Sequence, residues 1–383
     1  MNNKTTIGYI SPTNPFTDRK AWSGLTYKVR ESIERAGYDI IWIPYKTVSP
    51  GIRFWNLILK IYCFLFAHGK RFLLGENFPM TAKIWANTIQ KNEDFEKCDY
   101  LFFPGGAQIA KYIKTDKPYI YYSGATVPIM LDYYWFDICP LSRRIAIKLD
   151  KEASINAAIN LKASKWAYNS LINDYGCNPK KCHIIEYGPA MDTSDILPIE
   201  PYKEGTLNIF FSGVDWERKN GDIAVKTVDI LHSKGLDVHL YIAGIRNLPE
   251  YCKKLDYVTH VGYLNKNTKE GYEKYMNLYR KCHLLLVPTK AECAGVVFCE
   301  ASAFGMPSYT YDTGGTTNYV REGINGRTIS LNEGAERFAE LITEDLKKGN
   351  LQRFHDGALK INQDFLSWEA WAEYFKNIMK DYK

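Results

Sequence analysis

The sequence predicts an α/β protein built from two consecutive Rossmann-like domains. Apolar runs typical of buried strands alternate with helix-like periodic segments along the chain, which predicts parallel sheets covered by helices. The length of 383 residues suits two domains better than one. The stretch 191–204 is rich in proline and acidic residues and has no periodicity, so we place the interdomain linker there.

The first predicted domain covers residues 1–195. It opens with a strand at Thr5–Ser11 and a helix at Leu25–Ala36, which stops at Gly37, a residue type that favours helix C-termini. Further strands are predicted at 38–44, 100–104, 119–122 and 183–187, and further helices at 148–163 and 165–175.

The second predicted domain covers residues 205–360 and repeats this alternation. Its strands are predicted at 207–211, 238–243, 283–287 and 308–311, and its helices at 222–234, 269–281, 296–303 and 334–348. A separate helix is predicted within residues 365–383, where Ser367 suits the N-cap and Trp368, Trp371 and Phe375 form an apolar stripe. Because open parallel sheets bind ligands beyond the carboxyl ends of their strands, the loops that follow the strands are where chemistry is expected.

The most informative segment runs from Pro288 to Pro307. A buried strand ends at Pro288, a polar loop carries Glu292 and Gly295, and a helix with Glu300 follows. The start of a helix presents free backbone N–H groups and a positive dipole end, which together bind anions. Gly295 allows a phosphate or sugar to approach the backbone closely. The carboxylates can accept hydrogen bonds from hydroxyls, Glu292 from a sugar and Glu300 from a vicinal diol such as ribose.

Glu292 and Glu300 resemble the E-x7-E motif of retaining glycosyltransferases with the GT-B fold, in particular family 4, which is also called glycosyl transferases group 1. The runs Thr313-Gly-Gly-Thr and Val320–Gly326 resemble the C-terminal pattern of the same family. The resemblance implies two domains that face a central cleft and a C-terminal helix that crosses back to the N-terminal domain. It implies transfer of a hexose from a nucleotide-sugar donor to an acceptor hydroxyl. Glu292 would act on the transferred sugar and Glu300 would bind the ribose. The donor would also contact three neighbours of Gly295: Cys293, Ala294 and Val296.

A second candidate pair is Arg218 and Lys219, which follow the first strand of the second domain after Gly213. Arginine offers a fork of N–H donors and lysine a point charge, and both suit a diphosphate leaving group. Cations at a helix start oppose the helix dipole, which disfavours an ordinary surface role. The resemblance assigns both side chains, as catalytic groups, to the donor diphosphate and places Gly213 among the donor-binding residues.

Further loops complete the donor site that the resemblance implies. In the first domain, Gly24 would bring backbone N–H groups against the donor phosphate, and Ser23 would add a hydroxyl, cap the following helix, or do both. In the second domain, Gly244, Tyr263 and Leu264 follow later strands and would flank the nucleotide base.

The acceptor side is defined by fewer residues. Many family members carry a histidine in a loop of the first domain near the transferred sugar, but the corresponding stretch 121–126 has none. The nearest polar candidates are Ser123, Thr126 and Asp132. The missing histidine leaves open a catalytically inactive protein that only binds a nucleotide sugar or glycan. A sugar-nucleotide epimerase of the same fold is the other alternative. A simple dehydrogenase is disfavoured, because no G-x-G-x-x-G follows the first strand.

The sequence contains no D-x-D, so the usual carboxylate ligands of a sugar-diphosphate metal are missing, and we expect a metal-independent enzyme without a cofactor. The expected base is uridine, with guanosine second. The expected acceptor is a lipid-linked or polysaccharide intermediate of envelope glycan synthesis. Nine single cysteines without a C-x-x-C pair, and a start without a secretory signal, predict a cytoplasmic protein. Nucleic acid is not expected as a partner, because no compact Lys/Arg cluster or motif for it occurs.

Excess positive charge lies in the first half of the chain. Residues 1–195 have a formal balance of +7, and the remainder has −1. Between Ile40 and Gly75 there is no acidic residue, and the aromatic-rich apolar run 54–67 is accompanied by basic residues: Lys46, Arg53, Lys60, Lys70 and Arg71. The run is too short and interrupted to span a membrane. It predicts a basic amphipathic helix that contacts an anionic membrane through residues 46–71. The alternative is a buried core helix whose lysines extend to solvent.

Overall fold

The structure is a computed structural model that describes residues 4–382, and the chain in it forms two compact units. Unit 1 contains the residues up to Ile185 together with those from Ala372 onward, and unit 2 runs from Glu186 to Trp371. Residues 186–195, which the sequence placed in the first domain, cluster with unit 2.

A parallel six-stranded sheet forms the centre of unit 1. Its strands are β1 (Thr6–Ser11), β2 (Asp39–Pro44), β3 (Tyr100–Pro104), β4 (Tyr119–Ser123), β5 (Ile159–Lys162) and β6 (Cys182–Ile184), in the order β2-β1-β3-β4-β5-β6. Its helices are α1 (Leu25–Arg35), α2 (Pro50–Phe66), α3 (Pro79–Gln90), α4 (Val127–Met130), α5 (Pro140–Asn156) and α6 (Lys165–Asn173). The inner strands are almost entirely buried, as expected where helices cover both faces of a parallel sheet.

One predicted element of unit 1 is wrong. The helix predicted at 148–163 ends at Asn156, and strand β5 begins at Ile159. All four residues of β5 are buried, because the strand lies between β4 and β6. A strand buried on both faces shows no alternation of apolar and polar residues, so its sequence cannot be distinguished from the end of a buried helix by periodicity.

Unit 2 has the same architecture. Its strands are β7 (Leu207–Ser212), β8 (Val238–Ala243), β9 (Val258–Gly262), β10 (Leu284–Leu286), β11 (Ser308–Tyr311) and β12 (Gly326–Ile329), in the parallel order β12-β11-β10-β7-β8-β9. Its helices are α7 (Trp216–Lys219), α8 (Gly221–Ser233), α9 (Lys269–Lys281), α10 (Val296–Ala303), α11 (Thr316–Tyr319), α12 (Ala335–Lys347) and α13 (Asn350–Ile361). Strands β9 and β12 and helix α13 were not predicted from the sequence.

The C-terminal helix α14 (Trp368–Tyr382) begins as predicted. The hydroxyl of Ser367 accepts a hydrogen bond from the backbone N–H of Ala370 at 3.1 Å, which is the expected N-cap contact. The indole of Trp368 donates to the carbonyl of Pro189 in unit 2 at 2.7 Å. Further along, the residues from Ala372 onward belong to unit 1, where Phe375 packs edge-on against Tyr38 and Phe102.

Helix α2 is the element predicted to contact a membrane. The hydroxyl of Ser49 caps its N-terminus, and only one side of the helix is buried, through Ile52, Leu59 and Cys63. The alternative of a fully buried core helix is therefore wrong. In the part of the chain that the structure describes, no helix is long and apolar enough to cross a membrane.

Candidate functional site

The first part of the candidate site follows strand β7 of unit 2. The chain turns at Gly213, where a Cβ atom would lie 2.7 Å from Cγ of Lys219, so only glycine fits beside this lysine. Helix α7 then begins, and the carboxylate of Asp215 caps it by accepting the backbone N–H of Arg218 at 3.0 Å. The short helix ends at Asn220 in a left-handed conformation. This geometry fixes Arg218 and Lys219 on one turn beyond the carboxyl end of β7.

The structure brings both predicted cations to the first predicted glutamate. The ammonium of Lys219 donates a hydrogen bond to Oε2 of Glu292, and both side chains are buried. The guanidinium Nη1 of Arg218 lies 3.5 Å from the same Oε2 and donates to the carbonyl of Ala291 at 3.0 Å. Nε of Arg218 also lies 3.7 Å from the carboxylate of Asp215. One carboxylate thus holds two cations in place.

Backbone contacts tie the loop of Glu292 to its surroundings. The N–H of Lys290 donates to the carbonyl of Arg218 at 2.8 Å, which fastens the loop to helix α7. The N–H of Gly315 donates to the carbonyl of Glu292 at 2.9 Å, and the hydroxyl of Thr313 donates to the carbonyl of Lys290 at 3.1 Å. The run that begins at Thr313 therefore supports the loop that carries Glu292, although the two are separate in sequence.

Gly295 begins helix α10 with a φ of +91°, which is a left-handed conformation. A Cβ atom there would lie 2.5 Å from the ring of Phe298, so a side chain has no room. The positive end of α10 thus lies immediately after Glu292 in the chain. Of its predicted neighbours, Ala294 is buried and Val296 half-buried. Burial, and secondarily the Glu292 carboxylate, raises the pKa of the Cys293 thiol to about 12, so this thiol stays protonated at neutral pH.

Glu300 lies inside unit 2, and its side chain is only 2% exposed. Its Oε2 accepts hydrogen bonds from the hydroxyls of Tyr275 at 2.7 Å and Tyr279 at 2.8 Å, both on helix α9. Burial, followed by the charge of Glu300, raises the pKa of both tyrosines well above its usual range. The other carboxylate oxygen of Glu300, Oε1, lies 3.3 Å from the ammonium of Lys266, which is partly exposed. The face of the carboxylate toward Lys266 is thus the one that a ligand could share.

The sequence analysis did not find the partners of Glu300. Tyr275 and Tyr279 stand four residues apart on α9, so they point to the same side of that helix. That spacing could be seen in the sequence and predicts a pair of tyrosines on one helix face. Nothing in the sequence connected the pair with Glu300. Lys266 lies in the loop after β9, a strand that was not predicted.

The region predicted to flank the base is built around Gly244. This residue has a φ of +93°, and a Cβ atom on it would lie 2.3 Å from the carbonyl oxygen of Gly213, so the loops after β7 and β8 touch here. The guanidinium of Arg246 stacks on the ring of Tyr263 at 4.4 Å, and Tyr263 is exposed. Leu264 is half-buried. These loops follow neighbouring strands of the sheet, β7, β8 and β9.

In unit 1, the loop between β1 and α1 has positive φ values at three successive residues. Trp22, Ser23 and Gly24 have φ values of +51°, +58° and +90°. Helix α1 has Gly24 as its N-cap and no side-chain cap hydrogen bond, so the alternative role of Ser23 as a helix cap is wrong.

The three predicted acceptor-side residues of unit 1 have different partners. Ser123 is buried and accepts a hydrogen bond from the ammonium of Lys162, which is fully buried. Thr126 is buried and shares a hydrogen bond with Ser170. Asp132 is exposed and forms a two-pronged ion pair with Arg143, whose hydrogen bonds lower the pKa of Asp132. Lys162 was not among the predicted site residues.

Among the described residues, the structure shows no group of three or more histidine, cysteine, aspartate or glutamate side chains that could hold a metal ion. All nine cysteines are free thiols.

Residues 193–356 match the family model described as glycosyl transferases group 1. The match includes every donor-side residue predicted in unit 2, from Gly213 to Glu300. This segment therefore has the sequence pattern of that family.

Two curated glycosyltransferases are similar to part of the chain. An uncharacterized glycosyltransferase of Methanocaldococcus jannaschii is 26% identical over 203 residues, which make up 52% of this chain and 54% of that protein. D-inositol 3-phosphate glycosyltransferase 1 of Catenulispora acidiphila is 31% identical in an alignment of 255 residues that covers 61% of this chain and 59% of that protein. The chain thus spans little more than half the length of the curated relatives it matches.

Solved structures match the chain over nearly its whole length. A glycosyltransferase of Rickettsia africae has a TM-score of 0.68 at 13% identity, with 99% of both chains covered. The Anabaena protein HepE, solved in complex with UDP and glucose, has a TM-score of 0.63 at 14% identity, with 98% of this chain and 99% of that chain covered. At such identities the likeness shows the fold, and the predicted GT-B fold class is confirmed.

Proposed function

We propose that this protein is a retaining, metal-independent glycosyltransferase that transfers a hexose from a nucleotide sugar to an acceptor hydroxyl. The favoured donor is a UDP-sugar and the second a GDP-sugar. The proposed acceptor is a lipid-linked or polysaccharide intermediate of envelope glycan synthesis. The match of residues 193–356 to a glycosyltransferase family and the similarity to curated glycosyltransferases support the reaction class. The complex of the Anabaena neighbour with UDP and glucose supports the choice of uridine.

The observation that carries this proposal is the meeting of Arg218, Lys219 and Glu292 beside the start of helix α10. A diphosphate leaving group needs positive charge where its own negative charge develops, and fixed cations in a buried site supply it without reorganisation. Glu292 holds Arg218 and Lys219 together beside the start of α10. The donor phosphates then compete with Glu292 for these cations, and Glu292 becomes available to the hydroxyls of the transferred sugar.

The proposed ribose site is Glu300. Its Oε2 is held by the two tyrosine hydroxyls, which fixes the plane of the carboxylate. Among residues 4–382, the hydrogen-bond partner of Oε1 is Lys266, at a long distance of 3.3 Å. A ribose diol can replace that contact with hydrogen bonds of ordinary length, and Lys266 then becomes available to a phosphate or to solvent.

No protein nucleophile is assigned in this mechanism. Retention then follows from attack on the same face that the diphosphate leaves, with a departing phosphate oxygen accepting the proton of the acceptor hydroxyl. Glu292 contributes by hydrogen bonding to the sugar and by stabilising positive charge that develops on it. The groups of unit 2 that we assign to the leaving diphosphate are Arg218, Lys219 and the backbone near Gly295.

The first experiment is thermal melting of the purified protein with UDP, GDP, ADP and CMP, without added metal. A nucleotide that binds the folded state must raise the melting temperature. We expect one nucleotide to do so, UDP first, and the shift to shrink in Glu300→Gln. The matched control is Glu186→Gln, which also removes a buried carboxylate of unit 2. The side chain of Asn318 donates a hydrogen bond to this carboxylate, which is not assigned to the donor. Absence of any shift, or equal shifts in both variants, would contradict the donor site.

A second experiment tests the reaction itself. The protein is incubated with its donor alone, and then with candidate acceptors, and the products are followed by mass spectrometry and NMR. A transferase shows slow donor hydrolysis alone and a new α-linked product with acceptor. Conversion of the donor sugar to its epimer without acceptor would favour the epimerase alternative, and binding without any turnover would favour the inactive alternative.

A further inference from the structure

Helix α2 exposes an apolar face that the proposed reaction does not use. Its buried residues Ile52, Leu59 and Cys63 lie on one side of the helix. With about 100° between successive residues, Ile61 lies opposite that side. Five more exposed apolar side chains surround it: Phe54, Leu57, Ile58, Phe64 and Leu65. A helix on the surface of a globular protein normally presents polar residues to solvent. The solvent-facing side of α2 is apolar instead.

The exposure is large for side chains of this kind. Phe64 is 80% exposed and Phe66 at the end of the helix is 70% exposed. Single exposed apolar residues are common, but a contiguous exposed patch marks a surface that contacts something else. Exposed aromatic rings at the C-terminal end of α2 extend the patch beyond its central face.

Residues distant in sequence enlarge this surface. The guanidinium of Arg71 donates to the carbonyl of Phe136 at 2.7 Å, and the backbone N–H of Arg71 donates to the carbonyl of Asp137 at 2.7 Å. Cys139 packs in one cluster with Cys63 of α2. These contacts hold the exposed Phe136, from the loop before α5, near the end of α2. We call the exposed apolar side chains of α2 together with Phe136 the apolar patch.

The charge around the apolar patch has one sign. Arg53 and Lys60 are seven residues apart, so they lie one above the other on the flank of α2, beside its apolar face. Both are exposed, and no carboxylate among the described residues pairs with them. Lys70 follows the helix, and the whole stretch from Ile40 to Gly75 has no acidic residue. A protein partner could cover the apolar face, but it would need a complementary acidic surface as well.

We propose that the apolar patch rests in the surface of a bilayer that contains anionic lipids. An apolar helix face beside a basic flank is an arrangement that lies in the plane of such an interface, with its apolar side chains among the acyl chains and its cations on the phosphates. The 17 residues of α2 do not span a bilayer, and its buried side ties it to unit 1. Unit 1 is thereby the part of the protein that faces the membrane. This inference concerns where the protein binds and stands independently of the proposed reaction.

The test is co-sedimentation of the 383-residue chain with phosphatidylcholine vesicles, with and without phosphatidylglycerol. We expect binding to the anionic vesicles that weakens as salt is raised. Ile61→Glu with Leu65→Glu should lower the partition on the order of a hundredfold, because two inserted apolar side chains are lost. Arg53→Glu with Lys60→Glu should lower it about tenfold or more. Both double variants change exposed positions, and their melting temperatures verify that they fold.

Matched controls come from unit 2. Leu197 is 67% exposed and Lys203 is exposed too, so Leu197→Glu and Lys203→Glu make the same chemical changes away from the apolar patch. Binding that the controls lose equally, or no binding to anionic vesicles, overturns the proposal. Light scattering without lipid tests a second copy of the chain as the occupant. A dimer that Ile61→Glu with Leu65→Glu abolishes, in a protein that does not bind vesicles, also overturns it.

Discussion

The ammonium of Lys219 is hydrogen-bonded to the carboxylate of Glu292, 73 residues away in sequence, and both side chains are buried. The pair joins two loops that follow strands β7 and β10. In a buried ion pair each charge depends on the other, because neither has water to replace its partner. The pair therefore links the stability of unit 2 to the residues that we assign to the donor.

The first prediction concerns this pair. Lys219→Met should lower the free energy of unfolding by about 3–5 kcal/mol, because the buried Glu292 carboxylate loses the cation that is hydrogen-bonded to it. Adding Glu292→Gln should restore part of that loss, so the double variant should cost less than the sum of the single ones. Urea denaturation of the natural protein, the two single variants and the double variant measures the coupling free energy between Lys219 and Glu292.

The control for that cycle is an exposed ion pair of the same unit. Lys226 and Glu336 form one, and both side chains are more than half exposed. Lys226→Met should change the free energy of unfolding by less than about 1 kcal/mol. Additive effects in the Lys219 cycle would mean that the two side chains do not interact in solution. Nucleotide titration of Lys219→Met, under conditions where it is folded, should show a weakened or lost melting shift.

The second prediction concerns the start of helix α10. Gly295→Ala should destabilise unit 2 in two ways, through the strain of φ +91° and through contact of the new Cβ with the Phe298 ring. Gly235→Ala is the matched control, because Gly235 has a φ of +82° with nothing within 4 Å of the added atom. The strain common to both is about 1–2 kcal/mol, and the contact should add about 1–3 kcal/mol in Gly295→Ala. Only Gly295→Ala should also lose the nucleotide-induced rise in melting temperature.

The third prediction concerns the tyrosines beside Glu300. Tyr279→Phe removes a hydroxyl that donates to the buried carboxylate, which should cost about 1–3 kcal/mol of stability. It should also weaken nucleotide binding, since the orientation of Glu300 is less fixed. Tyr257→Phe removes a comparable contact to Asp229 far along the same sheet, near the start of β9, and should leave binding unchanged. Equal nucleotide affinity in both variants would remove Tyr279 from the site.

The sequence predicted most of this architecture for physical reasons that also explain its failures. Strands such as β1 and β8 are bounded by turn residues and were found, whereas β5 lies directly after a helix and has no alternation. Glu292 and Lys219 were each recognised from a local pattern, but their direct pairing depends on tertiary contacts. The partners of Glu300 depend on where helix α9 packs, which no local pattern determines. Helix α2 was found from its composition, but the direction of its apolar face needed the structure.

The fourth prediction concerns Lys162, which is fully buried at the end of β5 and contacts Ser123. Burial lowers the pKa of its ammonium from 10.5 to about 8, against the opposing attraction of Asp150. Between pH 8 and 10.5 the unfolded chain therefore holds a proton on this lysine that the folded chain has lost. Stability from this residue should rise with pH across that window, because the cost of burying the charge disappears. Below pH 8 the cost is present in full.

The measurement is urea denaturation of the natural protein and of Lys162→Met at pH 7, 8, 9 and 10. The difference between the two free energies reports Lys162 together with its electrostatic coupling to the thiols of Cys177 and Cys182, whose pKa values its charge lowers. That difference should be constant from pH 7 to about 8 and should then move in favour of the natural protein, by on the order of 2–3 kcal/mol at pH 10. Lys148→Met, which removes an exposed lysine of the same unit, is the control for the loss of one lysine charge. A flat difference for Lys162→Met would mean that water reaches this ammonium in the folded protein.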